Sequence, residues 1–295
     1  MRNLIVSAYA AATFSFVCSI IRDWMVIKHT IYEKELFDLI YFCSIAGCLV
    51  LNAVTLSKEA PTKKFVLIAS IISIFVAIIV GNFFLQKSSI FLTTATFVLI
   101  AWIIGGIASR SLLSVGKIFY GRIREGISSL VVGILAIASY DLQSTITIGV
   151  SVGTLWTLWV SRNEIKRYFN EKDDGKTKLL FFEILLYSNL STVIIQLWAL
   201  YFNSYESKLY GSDPVIVVRI SMYIFQFLSI GVVVLVARIP TFLLKIKRFA
   251  LIYIYGGLGL GLLVSAINPS YGILIMPIIA ALSNYAAIVY LRNKE

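Results

Sequence analysis

Apolar residues in this chain come in long unbroken blocks, not at alternate positions and not on one face of a helical period. From Leu4 the sequence stays almost wholly apolar to Ile27, interrupted near the end by Arg22 and Asp23, and similar blocks recur along the chain. Blocks of roughly 17–25 such residues predict helices that cross a membrane, because a bilayer leaves no solvated face for polar side chains. Ten are marked out, at about 4–27, 36–56, 65–85, 90–108, 126–142, 144–160, 179–203, 214–237, 249–267 and 271–291. Outer connections are short: Gln86-Lys87-Ser88, a turn around Asp141, and Asn268-Pro269-Ser270. The longest polar stretch, SRNEIKRYFNEKDDGKTK, falls after the sixth block. The expected architecture is therefore all-α and polytopic. A six-helix N-terminal lobe occupies 1–160, a cytoplasmic linker 161–178, and a four-helix lobe 179–295.

Composition agrees with this pattern. The chain is 59% hydrophobic and 14% charged, with a mean hydropathy of +0.89, whereas soluble domains carry roughly a quarter charged residues. The net charge of +11 raises the question of nucleic acid, and the placement of the charges answers it. With the N-terminus inside, twenty of the 26 basic residues fall on the cytoplasmic side. Arg22, Lys28, Lys34, Lys87 and Lys208 lie on the outer side or at outer helix ends, and Arg219 lies within a block. That asymmetry follows the positive-inside rule. The basic excess sets topology, with both termini cytoplasmic, and implies membrane lipids, not nucleic acid, as the first partners. Short loops favour a multi-pass protein of the bacterial inner membrane. The stretch SRSLLSVGKIFYGRIRE (109–125) alternates apolar and basic residues at helical spacing and reads as an interfacial segment. The first block reads as an uncleaved helix, since nine more follow and no clean small-x-small cleavage site precedes Arg22.

Signs of enzyme chemistry are scarce. His29 is the sole histidine, and Cys18, Cys43 and Cys48 all fall inside apolar blocks without metal-ligand spacing. No phosphate-binding loop is present, and Asp173-Asp174 sits among lysines in a hydrophilic stretch. No catalytic residue, metal or cofactor is expected. GGLGLG (256–261) has glycines loosely spaced like a dinucleotide loop, but it follows no strand. Gly257 and Gly261 instead form a small-xxx-small pair for close helix packing.

The informative residues are polar groups inside apolar blocks. A charge at mid-bilayer costs about 2.5–3.5 kcal/mol on insertion scales, so such residues usually face protein or a wet cavity. Arg22 lies about one and a half turns inside its outer helix end, and its long stem can also snorkel to the headgroups. Asp23 reaches less far, and Asp38 opens the second helix, which points to a cavity shared by the first hairpin. Glu183 lies one turn into the seventh block. Arg219 follows Pro214 by five residues. Asn189 and Gln196, and Arg219 and Gln226, are each seven apart, two turns, and so share a face. These groups either bond between helices or line a site, and a cation in each half suggests a central anion site.

The stretch FSFVCSIIRDWMVIKHTIYEKELFDLIYF (14–42) resembles the first hairpin of the MOP superfamily, flippases for polysaccharide precursors and lipid II. There, a helix with an Arg-Asp pair runs into a short loop and then an Asp before an aromatic-rich second helix, matched here by Arg22, Asp23 and Asp38. Residues 109–137 are similar to that family's basic connection between its fourth and fifth spans. Residues 187–242, ending in ARIPTF, are similar to the region closing with its eighth helix. Departures are clear. The family usually has twelve or more spans against ten here, with an incomplete C-terminal lobe. An arginine common in lipid II flippases is Phe16, and CSIAGCLVLNAVTL replaces a proline- and arginine-bearing second helix. The resemblance implies alternating access around a cationic cavity, with Arg22 and Arg219 pairing with the diphosphate of a polyprenyl-linked oligosaccharide. Asp23 and Asp38 would pair with those arginines or with a coupling cation.

Two other readings stay open. Drug/metabolite-type transporters also have ten helices, in two inverted five-helix repeats. That would place a boundary near residue 143, where no internal match is visible. The other is a non-transporting membrane scaffold working with glycan-assembly proteins.

Overall fold

The structure is a computed structural model and describes residues 2–30, 32–56, 71–72, 74–75, 77–79, 81–82, 87–114, 119–120, 123–170, 192–202, 214–236 and 247–292. Among the described residues every regular element is helical. In order they are α1 (Arg2–His29), α2 (Glu33–Leu56), α3 (Ser89–Ser114), α4 (Arg124–Ile137) and α5 (Leu142–Asn170). They continue with α6 (Thr192–Phe202), then α7 (Pro214–Val236), α8 (Lys247–Ile267) and α9 (Pro269–Arg292). Two stretches of the described residues, Ala10–His29 and Ser89–Ala108, are long and apolar enough to cross a membrane, and shorter apolar helices occur at Thr192–Phe202, Val215–Leu228, Ile254–Ile267 and Ser270–Ser283. Length and composition make the first two of these candidate membrane spans.

Helix starts follow local chemistry. Ser88 Oγ accepts from Phe91 N at 3.2 Å, Asp141 Oδ1 from Ser144 N at 2.9 Å and Asn268 Oδ1 from Ser270 N at 3.0 Å. Each side chain satisfies a first-turn amide that has no partner within its helix. Pro269, next to its Asn cap, and Pro214 occupy first helical positions, where the missing N–H costs nothing. The α4–α5 turn closes with amides of Ser139 and Tyr140 donating to the carbonyls of Ala136 and Leu135. It places Ser139 at φ 60°, the left-handed position that usually takes glycine.

The chain divides into two compact units, Met1–Lys178 and Leu179–Glu295. In the first, α1 and α4 run parallel because small residues of α4 admit the α1 backbone. Gly126 lies against Phe14 and Ser15, and a Cβ on Gly133 would come within 3.2 Å of Arg22 Cα. Two glycines of α5, Gly149 and Gly153, let it run antiparallel along the other side of α4, against Val132 and Ser128. Next to them, Thr154 Oγ1 donates to Ala101 O of α3 at 3.4 Å. α2 lies beside α3, with Phe42 and Phe91 edge to face at 5.7 Å. The core joining these helices includes Val26, Leu39, Val98, Val132 and Ile146.

α5 is longer than its apolar block. Its 29 residues extend over roughly 44 Å, beyond a hydrocarbon core of ~30 Å. Residues 161–170, expected to begin a cytoplasmic linker, are the last turns of this helix. Hydropathy marks where the chain leaves apolar surroundings, whereas a helix continues until something breaks it. Neither Gly nor Pro occurs between 161 and Gly175.

In the second unit α8 and α9 form an antiparallel hairpin. Gly257 faces Ile279 and Ser283 of α9, and Gly261 faces Met276 and Ile279, so both glycines serve packing. α7 packs on α9, where Ser221 Oγ donates to Ile273 O at 2.6 Å. α6 reaches α8 through Trp198 Nε1, which donates to Ser265 Oγ at 3.2 Å.

Candidate functional site

Arg22 and Asp23 form one cluster. Arg22 Nε donates to Asp23 Oδ1 at 2.6 Å, and Nη2 lies 2.5 Å from the same oxygen. Its remaining arm, Nη1, points at Ser129 Oγ of α4 at 3.3 Å. The Arg22 side chain is 12% exposed and that of Asp23 only 1%, so the pair is buried, with Arg22 reaching α4. Ser129 belongs to the same small-residue face as Gly126 and Gly133, and a large residue at any of these would push α1 away. Chemically, this is a neutral ion pair whose guanidinium keeps its planar fork for oxygen acceptors.

Asp38 belongs to a different cluster. The 2.5 Å contact of Lys87 Nζ with its Oδ2 ties α2 to the connection two residues before α3. Lys87 also lies over the Phe91 ring at 5.2 Å. Near this end, Tyr32 Oη donates to Tyr140 O at 2.9 Å, joining the α1–α2 connection to the α4–α5 turn. Arg22 and Asp38, expected to share a cavity of the first hairpin, thus have separate partners: one engages α4, the other the start of α3.

Arg124 belongs to the basic 109–125 stretch, which reads from sequence as an interfacial segment, yet it is buried. It opens α4 at 6% exposure, with Nη1 3.4 Å from Trp102 O of α3 and Nη2 3.9 Å from Glu125. The guanidinium fills the place a side chain on Gly105 would need. The available signal was Gly105 itself, a glycine within a block of large apolar residues.

The second unit holds Arg219, 2% exposed, over the Tyr223 ring at 5.1 Å. Gln196 is buried on α6, and its Oε1 has no hydrogen-bond partner; Trp156 Nε1 in the first unit is the other such buried atom among the described residues. Gln226 is half-buried on α7. No hydrogen bond among the described residues joins Gln196 or Gln226 to Arg219. Asn189 and Glu183 lie outside the described residues.

No protein-family model matches the chain, and no curated protein or solved structure matches it.

Proposed function

We propose that the protein is a multi-pass transporter of the bacterial inner membrane, with about ten spans, that flips a polyprenyl-diphosphate-linked oligosaccharide by alternating access. The observation carrying this reading is Arg22, an arginine inside an apolar helix that turns inward to Asp23 and Ser129 instead of outward to the headgroups. A diphosphate offers the guanidinium the same oxygen geometry as Asp23 does, so substrate and carboxylate compete for one fork. The resemblance of the first hairpin to MOP flippases supplies the substrate class. Arg219 is the second unit's candidate anion contact. The division after Lys178, not near residue 143, counts against a drug/metabolite-type repeat.

One observation favours a scaffold in a glycan-assembly complex instead. Arg22 and Asp38 both have partners inside the protein, Asp23 and Lys87, so neither needs a ligand. Deleting the gene and profiling lipid-linked oligosaccharides separates the readings. A flippase deletion accumulates precursor and loses surface glycan; the native gene restores both, while Arg22→Gln/Asp23→Asn, expressed normally, does not. Rescue by that neutral pair supports the scaffold. Unchanged precursor and glycan, with no redundant flippase present, refutes both.

A further inference from the structure

One seam of α5 stands exposed along its length. Ile148, Val152, Leu155, Trp159, Arg162 and Lys166 are all exposed and follow one another at steps of four, three, four, three and four residues, so they share a face. The order along that face is three aliphatic residues, a tryptophan, then two cations. The opposite face carries Gly149, Gly153 and the buried Thr154 and Thr157, and these small residues seat α5 on α3 and α4.

The two faces ask for different neighbours. Helix partners in a membrane meet through small residues that allow close approach, and α5 spends its small residues on its own unit. The exposed seam is bulky, with Leu155 and Trp159 at 63% and 61% exposure. Its order repeats the depth profile of a bilayer leaflet: hydrocarbon, the interfacial level where tryptophan is enriched, then charged headgroups. Trp159 marks the boundary, and Arg162 and Lys166 stand one and two turns beyond it. Because the helix continues to Asn170, these cations are carried on a fixed scaffold.

We infer that this end of α5 is a binding surface for an anionic phospholipid, with acyl chains along Leu155 and Trp159 and the headgroup phosphate between Arg162 and Lys166. This goes beyond the transport reading but rests on its multi-pass part, that α5 lies in the bilayer.

The test uses the full chain in phosphatidylcholine vesicles containing a minor fraction of lipid brominated on its acyl chains, either phosphatidylglycerol or phosphatidylcholine. Bromine quenches nearby tryptophan, and subtracting the signal of Trp159→Phe isolates Trp159 from the other four. Brominated phosphatidylglycerol should quench Trp159 at about fivefold to thirtyfold lower mole fraction than brominated phosphatidylcholine, the selectivity that one to two surface cations supply at ~1 kcal/mol each. Arg162→Gln/Lys166→Gln should remove the preference and leave quenching by phosphatidylcholine intact. Equal quenching by both lipids in the native protein, or a preference that survives the double replacement, overturns the assignment. So does a Trp159 that neither lipid quenches, because protein, another copy included, then covers the seam.

Discussion

Ser221 on α7 donates its hydroxyl, at 2.6 Å, to the carbonyl of Ile273 on α9. Ile273 lies four residues before Pro277, and a proline nitrogen has no hydrogen to offer. The carbonyl that α9 cannot satisfy internally is thus satisfied by its neighbour, which matters most where no water reaches. Ser221→Ala should cost about 1–3 kcal/mol, the range for a buried polar group left unpaired. In a Pro277→Ala background the helix regains its own N–H, and the Ser221→Ala cost should shrink to a few tenths. Unfolding in detergent, run as a double-mutant cycle, measures this; equal costs in both backgrounds would refute the coupling.

Gly105 and Arg124 are matched in a similar way, a missing side chain on α3 admitting a guanidinium from α4. Gly105→Ala should lower stability by about 1–3 kcal/mol as the guanidinium is displaced from Trp102 O. Combined with Arg124→Ala, which empties the space, the same change should cost much less. Additive losses in thermal unfolding would show that the two residues do not compete for that volume.

Breaking the Asp38–Lys87 pair from one side should differ from removing both charges. Asp38 is almost completely buried and Lys87 about a quarter exposed. Asp38→Asn strands the ammonium and should cost about 1–3 kcal/mol, below the ~3–5 kcal/mol of a fully buried broken pair because Lys87 is partly wet. Asp38→Asn/Lys87→Gln should recover a good part of that, with chemical unfolding as the measurement. A double variant no better than the single would mean that the charge balance here is immaterial.

Asp141 provides a pH test outside the apolar segments. The Ser144 side chain, then the Ser144 backbone N–H, hold its carboxyl below the usual value by hydrogen bonding to the charged form. A depressed folded pKa means that the ionised cap contributes stability above the unfolded carboxyl pKa of ~3.9 and loses it as pH falls through the lower folded value. Asp141→Asn keeps a capping oxygen but should flatten that part of the melting-temperature profile below about pH 4. Native and variant profiles that stay parallel there would remove the carboxylate from the cap.

The sequence shows some of this plainly and hides the rest for identifiable reasons. The helix start at Pro214 and the packing role of Gly257 and Gly261 follow from local chemistry and were readable, whereas Asn268-Pro269-Ser270, read as a connection with the helix from 271, is the capped start of α9. Arg22 and Asp23 were conspicuous because charge in an apolar block is costly. Their engagement with Ser129 was not readable, since it depends on α1 and α4 meeting across more than a hundred residues. Asp38 stood out in the same way, but its partner Lys87 looked like an ordinary loop cation. Arg124 was hidden by its neighbours, since a basic run reads as solvated unless one knows that Gly105 leaves room for one member. The far end of α5 was missed because hydropathy falls at 161 while helix propensity does not.

The pairing of Arg22 with its immediate neighbour has a consequence for biogenesis. α4 leaves the ribosome about a hundred residues after α1, a delay of roughly 5–20 s at ~5–20 residues per second. Throughout that interval Ser129 does not yet exist, and α1 must enter the bilayer without it. Because Asp23 already neutralises Arg22 within the same turn, the apolar stretch 4–27 carries no net charge and can insert before α4 is made. A partner for Arg22 placed on any later helix would leave a bare cation at the translocon during synthesis.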